Sequence, residues 1–266
     1  RRVPPSPSLM DNLRHLALDF ERKRQFNKAT VVFEYLSTFN AKYKDQNITV
    51  DVVPIPGYNS AIQAAALSGE LPDVIMVDGP NMANYVWTKM LQPMDGLLDK
   101  AVVADLLPSV KEQGIYGPDQ KVYMVSPYDS SVLLWGNKKY LKEAGVRIPA
   151  GIKDAWDDKE FADALAKLAK VKGVQWPLDM KLNYDGEWYT YGFAPFIQSR
   201  GADLIDRKAW KAEGTIDSQP AVDALTELQA WSKSGWIVPA TAGDNRFYGD
   251  KTAALAWVGN WMWRAH

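Results

Sequence analysis

Asp73-Val-Ile-Met-Val-Asp-Gly-Pro80 sets a short continuous apolar run against an abrupt break. Val74 to Val77 is of the kind found in strands buried on both faces. Asp78-Gly79-Pro80 ends it, and residues 81–90 restart as a helix. Before it, residues 60–68 are Ala-rich and helical, with Gly69 suited to a left-handed C-cap. Earlier still, Ile48, Val50, Val52 and Ile55 give residues 48–55 a strand-like alternation, closed by Pro54, Pro56 and Gly57. Val32, Leu36, Phe39 and Tyr43 are spaced to share one helix face. Leu13 to Phe20 reads as a first strand, followed by a polar loop at 21–28. The alternation of strand and helix predicts an α/β fold with a largely parallel sheet.

Toward the C-terminus, residues 114–120 read as a turn and 121–125 as a strand leading to Ser126-Pro-Tyr-Asp129. Val132 to Trp135 is another apolar strand, and 137–144 a helix stopped by Gly145. Trp156-Asp-Asp-Lys-Glu-Phe161 opens a helix with Phe161, Leu165 and Leu168 facing inward. Pro220 starts a long helix that runs to about Ser234, before Gly235. A boundary near Ser126–Asp129 is expected to separate lobe one, 1–126, from lobe two, 127–266.

Composition narrows the function. The chain has 266 residues, 47% of them hydrophobic, enough for one large or two ordinary cores. Its 31 basic and 32 acidic residues leave a net charge of −1. Such a balance offers no field for nucleic acid or for an anionic membrane. The absence of cysteine removes disulfides, thiol nucleophiles and Cys-ligated metal sites together. Only His15 and His266 are present, which argues against a histidine metal centre or a Ser-His-Asp site. No apolar run approaches the ~18 residues of a membrane span. Arg1-Arg2 followed by Val-Pro-Pro-Ser-Pro-Ser reads as a processed or cut, flexible start rather than a signal peptide.

The aromatic content points to a ligand. The chain holds 11 Trp and 12 Tyr, and Trp257, Trp261 and Trp263 crowd its last stretch. Indoles so placed suit a flat, partly polar ligand such as a sugar ring, although on composition alone core packing is the first explanation of clustered aromatics. Trp87, Trp156, Trp210, Trp231 and Trp236 lie on or beside helices and are assigned to packing. In open α/β sheets, ligands sit beyond the carboxyl ends of the strands. The loops at 21–28, 56–59 and 78–81 therefore qualify. Asp78 is the sharpest candidate, and it reads equally as an N-cap.

Several segments resemble the extracellular solute-binding proteins of ABC sugar transport (family 1, maltose-binding-protein-like). Gly69-Glu-Leu-Pro-Asp-Val-Ile-Met-Val-Asp-Gly79 is similar to that family's Gly and Pro-Asp-Val segment. So is Val132-Leu-Leu-Trp-Gly-Asn-Lys-Lys-Tyr-Leu-Lys-Glu-Ala-Gly-Val146, and so are the starts at Trp156 and Phe247. Gly259-Asn-Trp-Met-Trp263 is similar to a Gly-Pro-Trp-Ala-Trp segment of maltose-binding members. Order and spacing carry the resemblance over roughly residues 30–263.

The resemblance implies a type II periplasmic-binding-protein fold, two α/β lobes closing by a hinge on a mono- or oligosaccharide. It implies delivery to an ABC permease, no catalysis, and no metal or cofactor. It also implies a periplasmic or extracellular location, compatible with an anchor through a removed N-terminal segment. Trp261 matches the sugar-stacking indole and Trp263 the next one. Glu187 and Tyr189 match sugar contacts, and Trp188 is an additional indole beside them. Tyr128 and Asp129 fall at the first hinge crossing, where the family places a polar ligand contact. Members of the family run well past His266, so the chain is expected to be cut short at its C-terminus, with lobe one incomplete. Two alternatives stand beside transport. One is a glycoside hydrolase using paired carboxylates such as Asp185 and Glu187. The other is a sugar-sensing module that feeds a receptor kinase.

Overall fold

A computed structural model describes residues 36–126 and 129–263. The expected strand at 13–20, the loop at 21–28, both histidines and Tyr128 lie outside the described residues. The chain divides into two compact units, Arg1–Val74 and Ile75–His266.

In the first unit the chain is helical over 36–42, and α1 spans Tyr58–Ser68. Gly69 (φ 74°) ends α1 as expected, its N–H donating to the Ala65 and Ala66 carbonyls. The expected strand at 48–55 is not formed; Ile48, Val50 and Val53 are exposed. Alternation marks a face but does not supply a neighbour, and among the described residues no strand pairs with this one. The Asn40 side chain takes that place locally. Its amide donates to the Val50 carbonyl at 3.0 Å and accepts from the Val50 N–H at 2.8 Å.

The run at 73–77 is also corrected. Val74 is 87% exposed and Met76 70%, and the segment joins no ladder among the described residues. A β-branched run gains from a sheet only when strands flank it and helices cover it.

The second unit carries α2 (Gly79–Trp87), α3 (Lys100–Asp105), α4 (Pro108–Gln113) and a small antiparallel pair, β1 (Ile115–Tyr116) and β2 (Lys121–Val122). The strand expected over 121–125 thus stops after two residues. Then come β3 (Val132–Gly136), α5 (Lys138–Glu143), α6 (Asp158–Leu168) and β4 (Trp176–Asp179). The short helices α7 (Trp188–Tyr191) and α8 (Ala194–Gln198), the long α9 (Gln219–Lys233) and β5 (Ala253–Gly259) complete it.

The three-stranded sheet has the order β3-β5-β4. β4 runs parallel to β5, with Leu178 opposite Leu255, whereas β3 runs antiparallel, with Val132 opposite Gly259. The sheet is therefore mixed rather than largely parallel. Because β5 is central it is buried on both faces, and Ala253, Ala254 and Ala256 leave room for cover. α6 contributes Leu165 and Leu168, both fully buried. Its start is fixed by a capping box in which Asp157 accepts from the Glu160 N–H at 2.8 Å and Glu160 reaches back. Trp231 of α9 meets Phe161 and Phe196 edge to face at 5.5 and 5.6 Å. Of the tryptophans assigned to packing, Trp87 is exposed, whereas Trp210, about half exposed, lays its ring against Gly117.

Candidate functional site

Strand direction assembles a pocket at one edge of the sheet. Parallel pairing brings the carboxyl ends of β4 and β5 side by side, and the antiparallel β3 begins at that same edge. Ser130 before β3, the segment 183–188 after β4 and Trp261 after β5 therefore converge. They enclose a cavity of ≈ 480 Å³, within the ~300–1,000 Å³ of small-molecule sites. Its lining comprises Asp78, Gly79, Pro80, Gln113, Asp129, Ser130, Asn183, Tyr184, Asp185, Glu187, Trp188, Tyr191 and Trp261, all in the second unit.

The aromatic wall is a stepped cluster. Trp261 lies tilted against Tyr191 at 6.1 Å between ring centroids and edge-on to Trp188 at 6.4 Å. Gly259 makes this possible, since a Cβ there would fall 1.7 Å from the Trp261 ring. Trp188 stands behind, 4% exposed, with its indole N–H donating to the Met180 carbonyl at 3.3 Å. Tyr184 meets Trp188 edge to face at 5.3 Å. Trp257 turns the other way and donates to the Gly192 carbonyl at 2.7 Å.

The acids occupy different electrostatic states. Asp78 sits at the N-cap position of α2 in extended backbone, yet its side chain makes no capping hydrogen bond. Burial, and then the nearby Glu187 charge, push its carboxyl above the ordinary carboxylate range. Asp129 behaves oppositely. It accepts from Ser109 Oγ at 2.5 Å, from Gln113 Nε2 at 3.3 Å and from the Ser130 N–H at 2.8 Å. The Ser109 bond leads in holding its carboxyl low. Tyr191 has its phenol pushed up by burial and lies 3.5 Å from Ser130 Oγ.

Of the residues singled out from sequence, the structure brings together Asp78, Asp129, Glu187, Trp188 and Trp261. It does not bring in Tyr189 or Trp263. Tyr189 is 57% exposed and stacks on Phe193, because it follows Trp188 in a helical turn and points elsewhere. Trp263, 63% exposed, lies outside the lining. Sequence reading missed Gln113, Ser130, Asn183, Tyr184 and Tyr191. Had β4 been recognised, the rule about strand carboxyl ends would have pointed to 183–185. No pattern marks Gln113, which arrives from α4. Among the described residues no group of His, Cys, Asp and Glu is placed to hold a metal ion.

Residues 25–266 match the family described as bacterial extracellular solute-binding protein, and the chain belongs to it. No curated protein matches. Among solved structures, the chain is similar to an ABC substrate-binding protein from Listeria monocytogenes in complex with cycloalternan. The identity is 21% and the TM-score 0.69, covering 88% of this chain and 59% of that one. UgpB from Mycobacterium tuberculosis, in complex with glycerophosphocholine, gives 18%, 0.67, 88% and 59% in the same order. The maltotriose-binding protein of Thermus thermophilus, bound with maltotriose, gives 21%, 0.59, 86% and 58%. These likenesses show a type II periplasmic-binding-protein fold. The chain spans 54% to 60% of the length of such structures. No helix among the described residues is long and apolar enough to cross a membrane.

Proposed function

We propose that the chain binds a neutral mono- or oligosaccharide in this pocket, without hydrolysing it, for delivery to an ABC permease in the periplasm or outside the cell. The observation that carries the reading is the pairing of Trp261 and Tyr191 with a rim of carboxylates and amides in a cavity of ≈ 480 Å³. A sugar presents an apolar C–H face and a ring of hydroxyls, and this lining offers a partner to each. Trp261 stacks on the C–H face, worth about 0.5–1.5 kcal/mol beyond area burial. Asp78, Asp185 and Glu187 accept hydroxyl hydrogen bonds, worth about 1.5–3 kcal/mol each. A few such contacts, less ordering costs, reach about −8 kcal/mol, a micromolar Kd.

Asp129 lines the pocket as expected of a ligand contact, and in this reading it has a second task. With Ser109, Gln113 and Ser130 on its oxygens, it also holds Gln113 at the rim. In this reading the chain divides into lobe one at 1–126 and lobe two from 127. The ligands of the Listeria and Thermus proteins support an oligosaccharide.

Isothermal titration against a panel of mono- and oligosaccharides tests this reading. Binding of at least one, with no new reducing ends on incubation, is the expected result. Silence across the panel, or release of reducing ends, overturns it. Trp261→Ala is expected to lose at least about tenfold in affinity with its circular dichroism unchanged.

A further inference from the structure

Beneath the pocket lies a polar group whose chemistry the binding reading does not use. Lys181 and Asp179 are both fully buried in the hydrophobic interior. The Lys181 ammonium donates to Asp179 Oδ2 at 2.9 Å and to the Asp244 carbonyl at 2.8 Å. It also pairs with Asp244 Oδ1 at 3.1 Å and lies 4.7 Å from the Tyr248 ring centroid. Tyr248 in turn donates its hydroxyl to the other Asp244 oxygen. Stability alone is a weak reason for such an arrangement, since desolvating an ion pair consumes most of what the pair returns.

Backbone geometry suggests another reason. Lys181 has φ 54°, a left-handed conformation unusual for a residue with a side chain. Asp179 Oδ1 accepts the Lys181 N–H at 2.9 Å, so one carboxylate holds both the main chain and the side chain of the same residue. The turn that follows is closed by the Tyr184 N–H donating to the Lys181 carbonyl at 3.0 Å. Met180, immediately before, offers its carbonyl to the Trp188 indole. The segment delivered by this turn supplies Asn183, Tyr184, Asp185, Glu187 and Trp188 to the pocket.

We propose that Lys181, clamped between Asp179 and Asp244, is the positioning residue of the ligand-binding segment 183–188. It fixes where the Tyr184 and Trp188 rings stand and hence the backing of Trp261. Asp244 extends the clamp to the loop before β5, so the chain after β4 and the chain before β5 are tied by one ammonium. The consequence for ligand affinity rests on the sugar-binding reading; the positioning itself does not.

Tyr248→Phe loosens the clamp without replacing a pocket-lining residue, Asp244→Asn loosens it and also alters the hydrogen bond between Asp244 and the Tyr184 hydroxyl, and Lys181→Met removes it. Hydrogen exchange of the unliganded protein is the first readout. The Tyr184 and Trp188 amides are expected to exchange at least about tenfold faster in the variants, with those of α6 unchanged. Titration with the best-binding sugar is the second, with affinity expected to fall about tenfold at a temperature where each variant is folded. Faster exchange spread evenly over α6 and the segment, with affinity intact, overturns the proposal, as does an unchanged exchange pattern. If Lys181→Met does not fold, the other two variants decide. If the unaltered protein binds no sugar, the function reading fails and the exchange pattern alone judges the clamp.

Discussion

Gly259→Ala probes the aromatic wall without altering any group proposed to touch the ligand. Gly259 ends β5 with φ −73°, a conformation alanine adopts freely, so backbone strain plays no part. The obstacle is the Trp261 indole, whose Cζ3 would lie 1.7 Å from the new methyl, with Cε3 and Cη2 at 2.0 and 2.1 Å. To regain ordinary contact near 3.4 Å the ring must retreat by about 1.7 Å. That movement separates it from Tyr191 and Trp188. Overpacking of this kind costs about 1–3 kcal/mol, a fall in Tm of roughly 2–4 °C per kcal/mol at this size. Losing a stacking platform worth about 0.5–1.5 kcal/mol weakens sugar binding roughly two- to tenfold. Thermal melts and titration of Gly259→Ala, Trp261→Ala and the double variant form a cycle. The methyl is expected to be nearly harmless once the indole is gone, since nothing then occupies its place. An equal cost of Gly259→Ala in both backgrounds refutes the placement of Trp261 over Gly259.

Asp157→Ala removes the cap of α6 and is expected to lower stability by about 0.5–2 kcal/mol, read from denaturant midpoints, with sugar affinity unchanged. Leu165→Ala, at a fully buried core site, is expected to cost about 2–5 kcal/mol on the same assay. Two of the pocket acids, Asp78 and Asp129, are expected to show opposite pH signs in a carboxylate-resolved NMR titration. Asp78, with its folded pKa raised by burial and Glu187, contributes stability at low pH that is lost as pH rises from the ordinary carboxylate range through the raised value. Glu187→Gln brings its pKa down. Asp129, depressed chiefly by Ser109, contributes stability above the ordinary value that is lost as pH falls through the folded one; Ser109→Ala raises its pKa. A titration in which Asp78 and Asp129 coincide contradicts this account.

Helices proved legible because their ends carry local chemistry. Asp157 with Glu160, Asn137 before α5, Gly69 and Gly145 after α1 and α5, and Pro220 in the first turn of α9 mark boundaries that the structure keeps to within a residue or two. Strands were less so. Residues 48–55 and 73–77 have the right pattern and form no ladder among the described residues, whereas β4 passed unnoticed because Trp176-Pro-Leu-Asp179 is short and contains proline. In the site, Trp261, Glu187 and Asp78 stood out as residue types suited to a sugar, in segments with family resemblance. Tyr189 and Trp263 stood out for the same reasons and lie outside the pocket, since sequence adjacency does not say which way a helical turn faces.

What the sequence by itself determined is the family, the helices with their caps, and the kinds of side chain available to a polar, uncharged ligand. These follow from residue identity and spacing over a few turns. The tertiary structure alone decided which of them meet. The parallel pairing of β4 with β5 and the antiparallel entry of β3 bring Ser130, Asn183 and Trp261 to one edge although they lie far apart in the chain. The burial of Lys181 between Asp179 and Asp244 is likewise a product of packing. Strand direction and burial depend on partners distant in sequence, and no local pattern encodes a partner's position.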